Sequence, residues 1–267
     1  MKTVLSNLNT NYESNEFSTK IKWYSILCIS SVLISGLCFY FTKNFYSIYA
    51  GAALFIVFMI SLLYANACRS KMSFADGRLA EQTQLFLIDH LFWNGKGSLL
   101  NIRCRTGALS ILCAKRYEEA LITGVDSWGK RWEYGKNACE TNATAEKVNQ
   151  QTTFCHEDIA HLSFPDESFH AVIANFAFFK ERSVDDKKIL VKEALRTLKK
   201  GGSFAFQDKF SSSRYFGDMN AFVEDLKASG ITEVHYMHHV EKVCGFIPTF
   251  ISTPWMFGGT GMLYGVK

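Results

Sequence analysis

The residues of this 267-residue chain best suited to chemistry lie between Leu99 and Asp126. The stretch opens Leu99-Leu100-Asn101-Ile102-Arg103-Cys104-Arg105-Thr106-Gly107 and, after a short amphipathic run, closes Gly124-Val125-Asp126. It reads as an apolar strand, a tight turn, a helix and a second apolar strand that ends in a carboxylate. In such a βαβ unit the turn after the first strand faces a nucleotide, and the acid ending the second strand hydrogen-bonds the ribose hydroxyls. Asp126 stands nineteen residues beyond Gly107, a separation that suits this reach. A plain turn aspartate at a strand end is the competing role.

Arg103 and Arg105 occupy turn positions where glycine is usual, because glycine takes positive φ freely and lets the backbone approach a ligand. A side chain in the left-handed region costs about 1–2 kcal/mol. Three outcomes are open. The arginines obstruct the turn, or they point outward from a re-formed turn that keeps Thr106 and Gly107. Alternatively, one pairs with a ligand carboxylate, for which a guanidinium is well suited.

Helix and strand alternate around this unit. Leu79–Phe92 has apolar residues at helical spacing, and Asn94-Gly95-Lys96-Gly97 ends it. Helices are further predicted over Trp132–Val148, Asp185–Leu198 and Asp218–Ser229. The second of these runs into Lys199-Lys200-Gly201-Gly202, cations and glycine where a helix C-terminus favours them. Strands are predicted over Thr152–His156, Ala171–Ala174, Phe204–Gln207, Ile231–Met237 and Met262–Val266. The alternation predicts a parallel sheet covered on both faces.

The chain is 48% hydrophobic with a mean hydropathy near zero, and most of the apolar excess precedes Asn66. Met1–Lys22 is polar and reads as a loose tail. Trp23–Phe41 and Phe45–Asn66 are then nineteen and twenty-two residues without a charge. Each run matches the roughly 30 Å hydrocarbon core of a bilayer. The short connection predicts an antiparallel hairpin, followed from about residue 70 to 267 by a globular domain. Lys20, Lys22, Arg69 and Lys71 flank the outer ends while Lys43 alone marks the turn, which predicts both ends in the cytoplasm. A cleaved signal peptide competes with this reading, but the first run is long for one and a second follows at once. The net charge of +4 is spread out and points to no nucleic acid partner. Eight cysteines without a C-x-x-C pair read as small hydrophobes in a reducing compartment.

With these residues assembled, the region from about Ser73 to Lys267 resembles the class I S-adenosylmethionine-dependent methyltransferases. Leu99–Ile111 is similar to the family's first motif, an acidic residue followed by G-x-G-x-G, with Asn101 in place of the acid. Gly124-Val125-Asp126 looks like the second strand with its ribose-binding carboxylate. Glu157–Phe169 resembles the segment whose acidic residue, here Asp158, reaches the adenine amino group; a helix N-cap is the competing role for Asp158. Leu195–Phe204 is similar to the L-K-P-G-G turn into the fifth strand, with Lys200 replacing proline.

The resemblance implies an α/β fold, a Rossmann-like seven-stranded mostly parallel sheet with an antiparallel final hairpin. It implies S-adenosylmethionine as cofactor, held around Asn101, Arg103, Arg105, Gly107, Asp126 and Asp158. Asn175 ends the fourth strand, where the family places substrate-facing residues. Methyl transfer from a sulfonium has a good neutral leaving group, so the protein mainly aligns the reactants and excludes water. This fits the lack of an evident acid–base pair, and no catalytic residue is assigned.

His235, His238 and His239 lie near Cys244 without a supporting carboxylate spacing, so no metal is expected. His170 is expected to be structural. Phe246–Phe257 reads as a substrate lid, a membrane-facing loop or ordinary packing. The expected function is a membrane-anchored, cytoplasm-facing methyltransferase acting on a small or lipid-like acceptor. The alternative is a degenerate binding or scaffolding module; a nicotinamide-dependent dehydrogenase fits the later motifs poorly.

Overall fold

The computed structural model describes residues 15–74, 76–129 and 132–267. The chain forms two compact units, a helical pair and an α/β unit that holds residues 81–267. The helical pair consists of α1 (Asn15–Thr42) and α2 (Tyr46–Met72). Ser18–Thr42 and Tyr46–Met72 are long and apolar enough to cross a membrane. Their apolar side chains, such as Leu33, Phe41, Ile56 and Leu63, are largely exposed, unlike those of a soluble core helix. Residues 15–22 are helical rather than a loose tail, and the predicted tail over 1–14 lies outside the described residues. The predicted domain start near residue 70 falls inside α2. A helix once nucleated gains a hydrogen bond per added residue, so it outruns its apolar stretch at little cost.

The α/β unit alternates α3 (Leu79–Asp89), β1 (Gly97–Ile102), α4 (Ala108–Arg116), β2 (Ala120–Asp126), α5 (Trp132–Ala145) and β3 (Thr152–His156). It continues with β4 (Phe169–Asn175), α6 (Lys187–Arg196), β5 (Leu198–Asp208), α7 (Ser213–Phe216), α8 (Met219–Ala228), β6 (Glu233–Met237), α9 (Val240–Val243) and β7 (Gly261–Val266). The seven strands run in the order β3-β2-β1-β4-β5-β7-β6, with β7 antiparallel to both neighbours. Successive strands β1, β2 and β3 build one half of the sheet, and the chain then crosses to β4 on the other side of β1. The order therefore reverses between β1 and β4, and a crevice opens beyond their C-terminal ends, where such sheets bind ligands.

Both faces of the sheet are covered, as the near-continuous apolar strands require. On one face Leu100, Val172, Phe204 and Phe206 pack with Leu190, Val191 and Ala194 of α6 and Phe222 and Leu226 of α8. The Lys199–Gly202 segment departs from its expected role as a helix end. α6 stops at Arg196, and these residues belong to β5. The β4–β5 register jumps from Phe169↔Leu198 to Ala171↔Ser203, so extra residues bulge out, with Gly201 at φ 73°. The Gly201 N–H donates to the Lys267 carbonyl and the Lys267 N–H to the Gly202 carbonyl. The pairing of Leu198 with β4 and the backbone bonds of Gly201 and Gly202 to Lys267 thus outweigh the local preference for a helix cap.

Candidate functional site at the β1–β4 crevice

The turn from β1 into α4 is short because Cys104 and Gly107 close it. The Cys104 N–H donates to the Val125 carbonyl at 2.9 Å, and the Gly107 N–H to the Cys104 carbonyl at 2.8 Å. Gly107 heads α4 at φ 84°, and a Cβ there would lie 3.2 Å from the Phe154 ring. Arg103 and Arg105 sit at φ 59° and 54°, so both adopt the left-handed backbone that the motif ordinarily gives to glycine. The turn therefore keeps its shape in spite of the substitutions, at a cost in strain rather than by re-forming.

Arg103 does not point outward. Its Nη1 donates to the Ala177 carbonyl at 3.1 Å, so the side chain runs from the end of β1 to the segment that follows β4. It crosses the mouth of the crevice. Beside it lies Asp208 at the end of β5, fully buried, which accepts hydrogen bonds from the backbone N–H groups of Phe178 at 2.8 Å and Lys209 at 2.7 Å. Burial pushes its carboxyl up to about 6, against the opposing pull of those N–H donors and of Arg103. The strand predicted over Phe204–Gln207 stops one residue short of Asp208, which the sequence reading does not single out. A carboxylate at the end of a strand two places from the reversal point is the signal that could have found it.

Asp126 lies at the end of β2 and is buried. Its Oδ2 accepts the Arg105 N–H at 2.9 Å and its Oδ1 the Trp128 N–H at 3.0 Å. The carboxylate clamps the first-strand turn to its own. Each oxygen keeps a further lone pair for a hydroxyl donor. Trp128 completes the clamp: its Nε1 donates to the Arg105 carbonyl at 2.6 Å, and the Cys139 thiol donates to the same oxygen at 3.0 Å.

Asn101 is buried in β1. Its Nδ2 donates to the Ser110 hydroxyl at 2.8 Å, while its Oδ1 is a buried acceptor with no partner among the described residues. Asn175 ends β4 and accepts from Gln207 Nε2 at 3.3 Å. Asp158 is exposed and caps no helix; its Oδ1 accepts the Ala160 N–H at 2.9 Å within a turn bridged by Asp158 and His161. The structure thus brings Asn101, Arg103, Arg105, Gly107, Asp126 and Asn175 to one end of the sheet, with Asp158 on the loop after β3. Among the described residues no group of histidine, cysteine and acidic side chains is arranged to hold a metal ion.

Residues 99–202 match a family model described as a methyltransferase domain. The chain is 30% identical over 131 residues to a ubiquinone/menaquinone biosynthesis C-methyltransferase of Geotalea daltonii, covering 49% of this chain and 52% of that one. It is 33% identical over 82 residues to a tRNA1(Val) (adenine(37)-N6)-methyltransferase of Vibrio cholerae, covering 31% and 32%. The chain thus spans about half or less of the curated relatives it matches. Among solved structures, the [4+2]-cyclase SpnF aligns with a TM-score of 0.55 at 17% identity, over 72% of this chain and 82% of that one. Geranyl diphosphate methyltransferase, in complex with geranyl diphosphate and sinefungin, aligns with a TM-score of 0.53 at 10% identity, over 71% and 78%. At these identities the structural likeness establishes the fold.

Proposed function

We propose that this chain, whose residues 99–202 match a methyltransferase-domain family model, transfers a methyl group from S-adenosylmethionine to a small or lipid-like acceptor while anchored in a membrane. The observation that carries this reading is the pairing of the Gly107 turn with Asp126 across the β1–β2 edge of the crevice. Asp126 retains lone pairs for the ribose diol, and Asp158 retains Oδ2 for an adenine amino group. The orphaned Asn101 Oδ1 is a buried acceptor that would suit the cofactor's ammonium group. Arg103 offers a guanidinium for a carboxylate once it leaves the Ala177 carbonyl. These residues fit the cofactor in donor and acceptor type.

When bound, the cofactor supplies an electrophilic methyl on a sulfonium with a neutral leaving group. The protein's part is to align the acceptor atom with that methyl and keep water away. Asn175 and Phe176 at the end of β4 are the residues facing the acceptor in this reading. A small or lipid-like acceptor is supported by the curated C-methyltransferase relative and by the two apolar helices. The mild, dispersed charge speaks against a nucleic acid acceptor. The hairpin, read as spanning the membrane, leaves the globular domain on the cytoplasmic side with the tail.

One observation favours a second reading, a binding or scaffolding module without turnover. Arg103 crosses the crevice that the cofactor needs. Calorimetric titration of the full-length protein in detergent with S-adenosylmethionine separates the two. Micromolar binding supports the enzyme; no heat at millimolar cofactor would leave the module.

A further inference from the structure

A segment between β6 and β7 crowns the crevice end of the α/β unit. From Val243 to Thr260 it contains no charged residue and no histidine. Three large apolar side chains on it are exposed: Trp255 by 67%, Val243 by 61% and Phe250 by 39%. The neighbouring exposed charge is a cation, Lys242, because Glu241 is turned inward. Its Oε1 accepts the Gly259 N–H at 3.1 Å and lies 2.9 Å from His239 Nδ1.

Trp255 is held out by a fixed scaffold. The buried Lys209 amine donates to the carbonyls of Pro254, Met256 and Gly258, so the backbone on both sides of Trp255 is tied inward. Phe257 packs edge-on against Phe176 at the end of β4, with ring centroids 5.4 Å apart. A tryptophan that the fold pins in water, next to an uncharged run and a lysine, has the chemistry of a bilayer interface, where an indole's apolar body and N–H are both accommodated.

The chain's path gives this surface its occupant. α3 packs Phe86 against Phe246 of the crown, at 5.9 Å between rings. Further along, His90 and Phe92 meet Tyr264 in the middle of β7, and the Phe92 carbonyl accepts from Ser203 near the start of β5's regular pairing. The N-terminus of α3 therefore points toward the crown. Only residues 73–78 separate it from the end of α2. Six residues reach at most about 20 Å. The covalent tie to the apolar helices thus enters the domain at its crevice end.

We propose that the crown, led by Trp255 and Val243, docks into the interface of the bilayer that the hairpin crosses, so that the crevice opens toward the membrane. The proposal rests on the reading of the hairpin as a membrane anchor, and it specifies where an acceptor enters: from the lipid phase. The test uses the full-length protein reconstituted in vesicles of phosphatidylcholine with some phosphatidylglycerol, with ordinary or dibrominated acyl chains. Subtracting the emission of Trp255→Phe from that of the original protein isolates Trp255. The expected result is flotation with the vesicles, at least a twofold quenching of the Trp255 component by brominated lipid, and little quenching by aqueous iodide. Flotation with Trp255 quenched by iodide and untouched by brominated lipid would overturn the docking and leave the anchor standing. Failure to float would overturn both.

Discussion

Arg103 and Arg105 carry the largest departure from the pattern their fold ordinarily uses, and both remain in the left-handed backbone that glycine prefers. Replacing Asn101→Asp, Arg103→Gly and Arg105→Gly together removes about 1–2 kcal/mol of strain per arginine and two positive charges beside a sulfonium. It also clears the side chain that reaches Ala177. Cofactor titration of the original and triple variants is expected to show at least tenfold tighter binding in the triple. If Arg103 instead holds the methionine carboxylate, binding weakens and Arg103→Gly alone reproduces the loss. Asp126→Ala is expected to cost stability as well as affinity, since two backbone N–H groups lose their acceptor. A loss of about 1–3 kcal/mol should appear in denaturant unfolding. Asp208 sets a pH dependence. Its folded carboxyl titrates at about 6 against an ordinary 3.8, so between those values the folded state holds more protons than the unfolded chain. Its share of stability, present below the lower value, is therefore lost as pH rises through the window, by about 3 kcal/mol. The Asp208→Asn variant should lack this component when its unfolding profile is compared with the original between pH 4 and 6.

At the scale of elements, the antiparallel β7 determines how the right half of the sheet closes. It sits between β5 and β6, and a Cβ on Gly265 would fall 1.8 Å from the Glu233 carbonyl of β6. No rotamer relieves a clash with backbone. Gly265→Ala is expected to lower stability by at least about 2 kcal/mol and to loosen the edge strand, visible as faster amide exchange in residues 233–237. α6 is better insulated. Asp186 caps it by accepting the Lys188 N–H, and Arg196 at its end binds Glu193, Asp166 and the carbonyls of Leu162 and Phe164. This network ties the loop after β3 to the helix that covers the sheet.

For the whole molecule, the two compact units imply that the α/β unit holds its own core. Removal of residues 1–72 is expected to leave a soluble protein with mixed helix and strand by circular dichroism and cooperative unfolding. A molten or aggregated product would mean that the hairpin completes the fold.

Local periodicity determined much of this architecture. The two uncharged runs, the alternation of helix and strand and the position of Asp126 at a strand end all follow from residues within a few turns of one another. The candidate residues of the first turn were legible for the same reason, because the turn is built from consecutive positions. What tertiary structure decided lies in contacts between distant segments. That Arg103 does not point outward depended on a carbonyl 74 residues away, and the backbone donors of Asp126 came partly from a turn 21 residues earlier. Asp208 acquired its role from Phe178 and Arg103, neither of which its own segment announces. Lys199–Gly202 joined β5 as a bulge because β4 pairs with Leu198 before it and Ser203 after it, while Gly201 and Gly202 exchange backbone hydrogen bonds with Lys267, contacts that a helix end there would forgo.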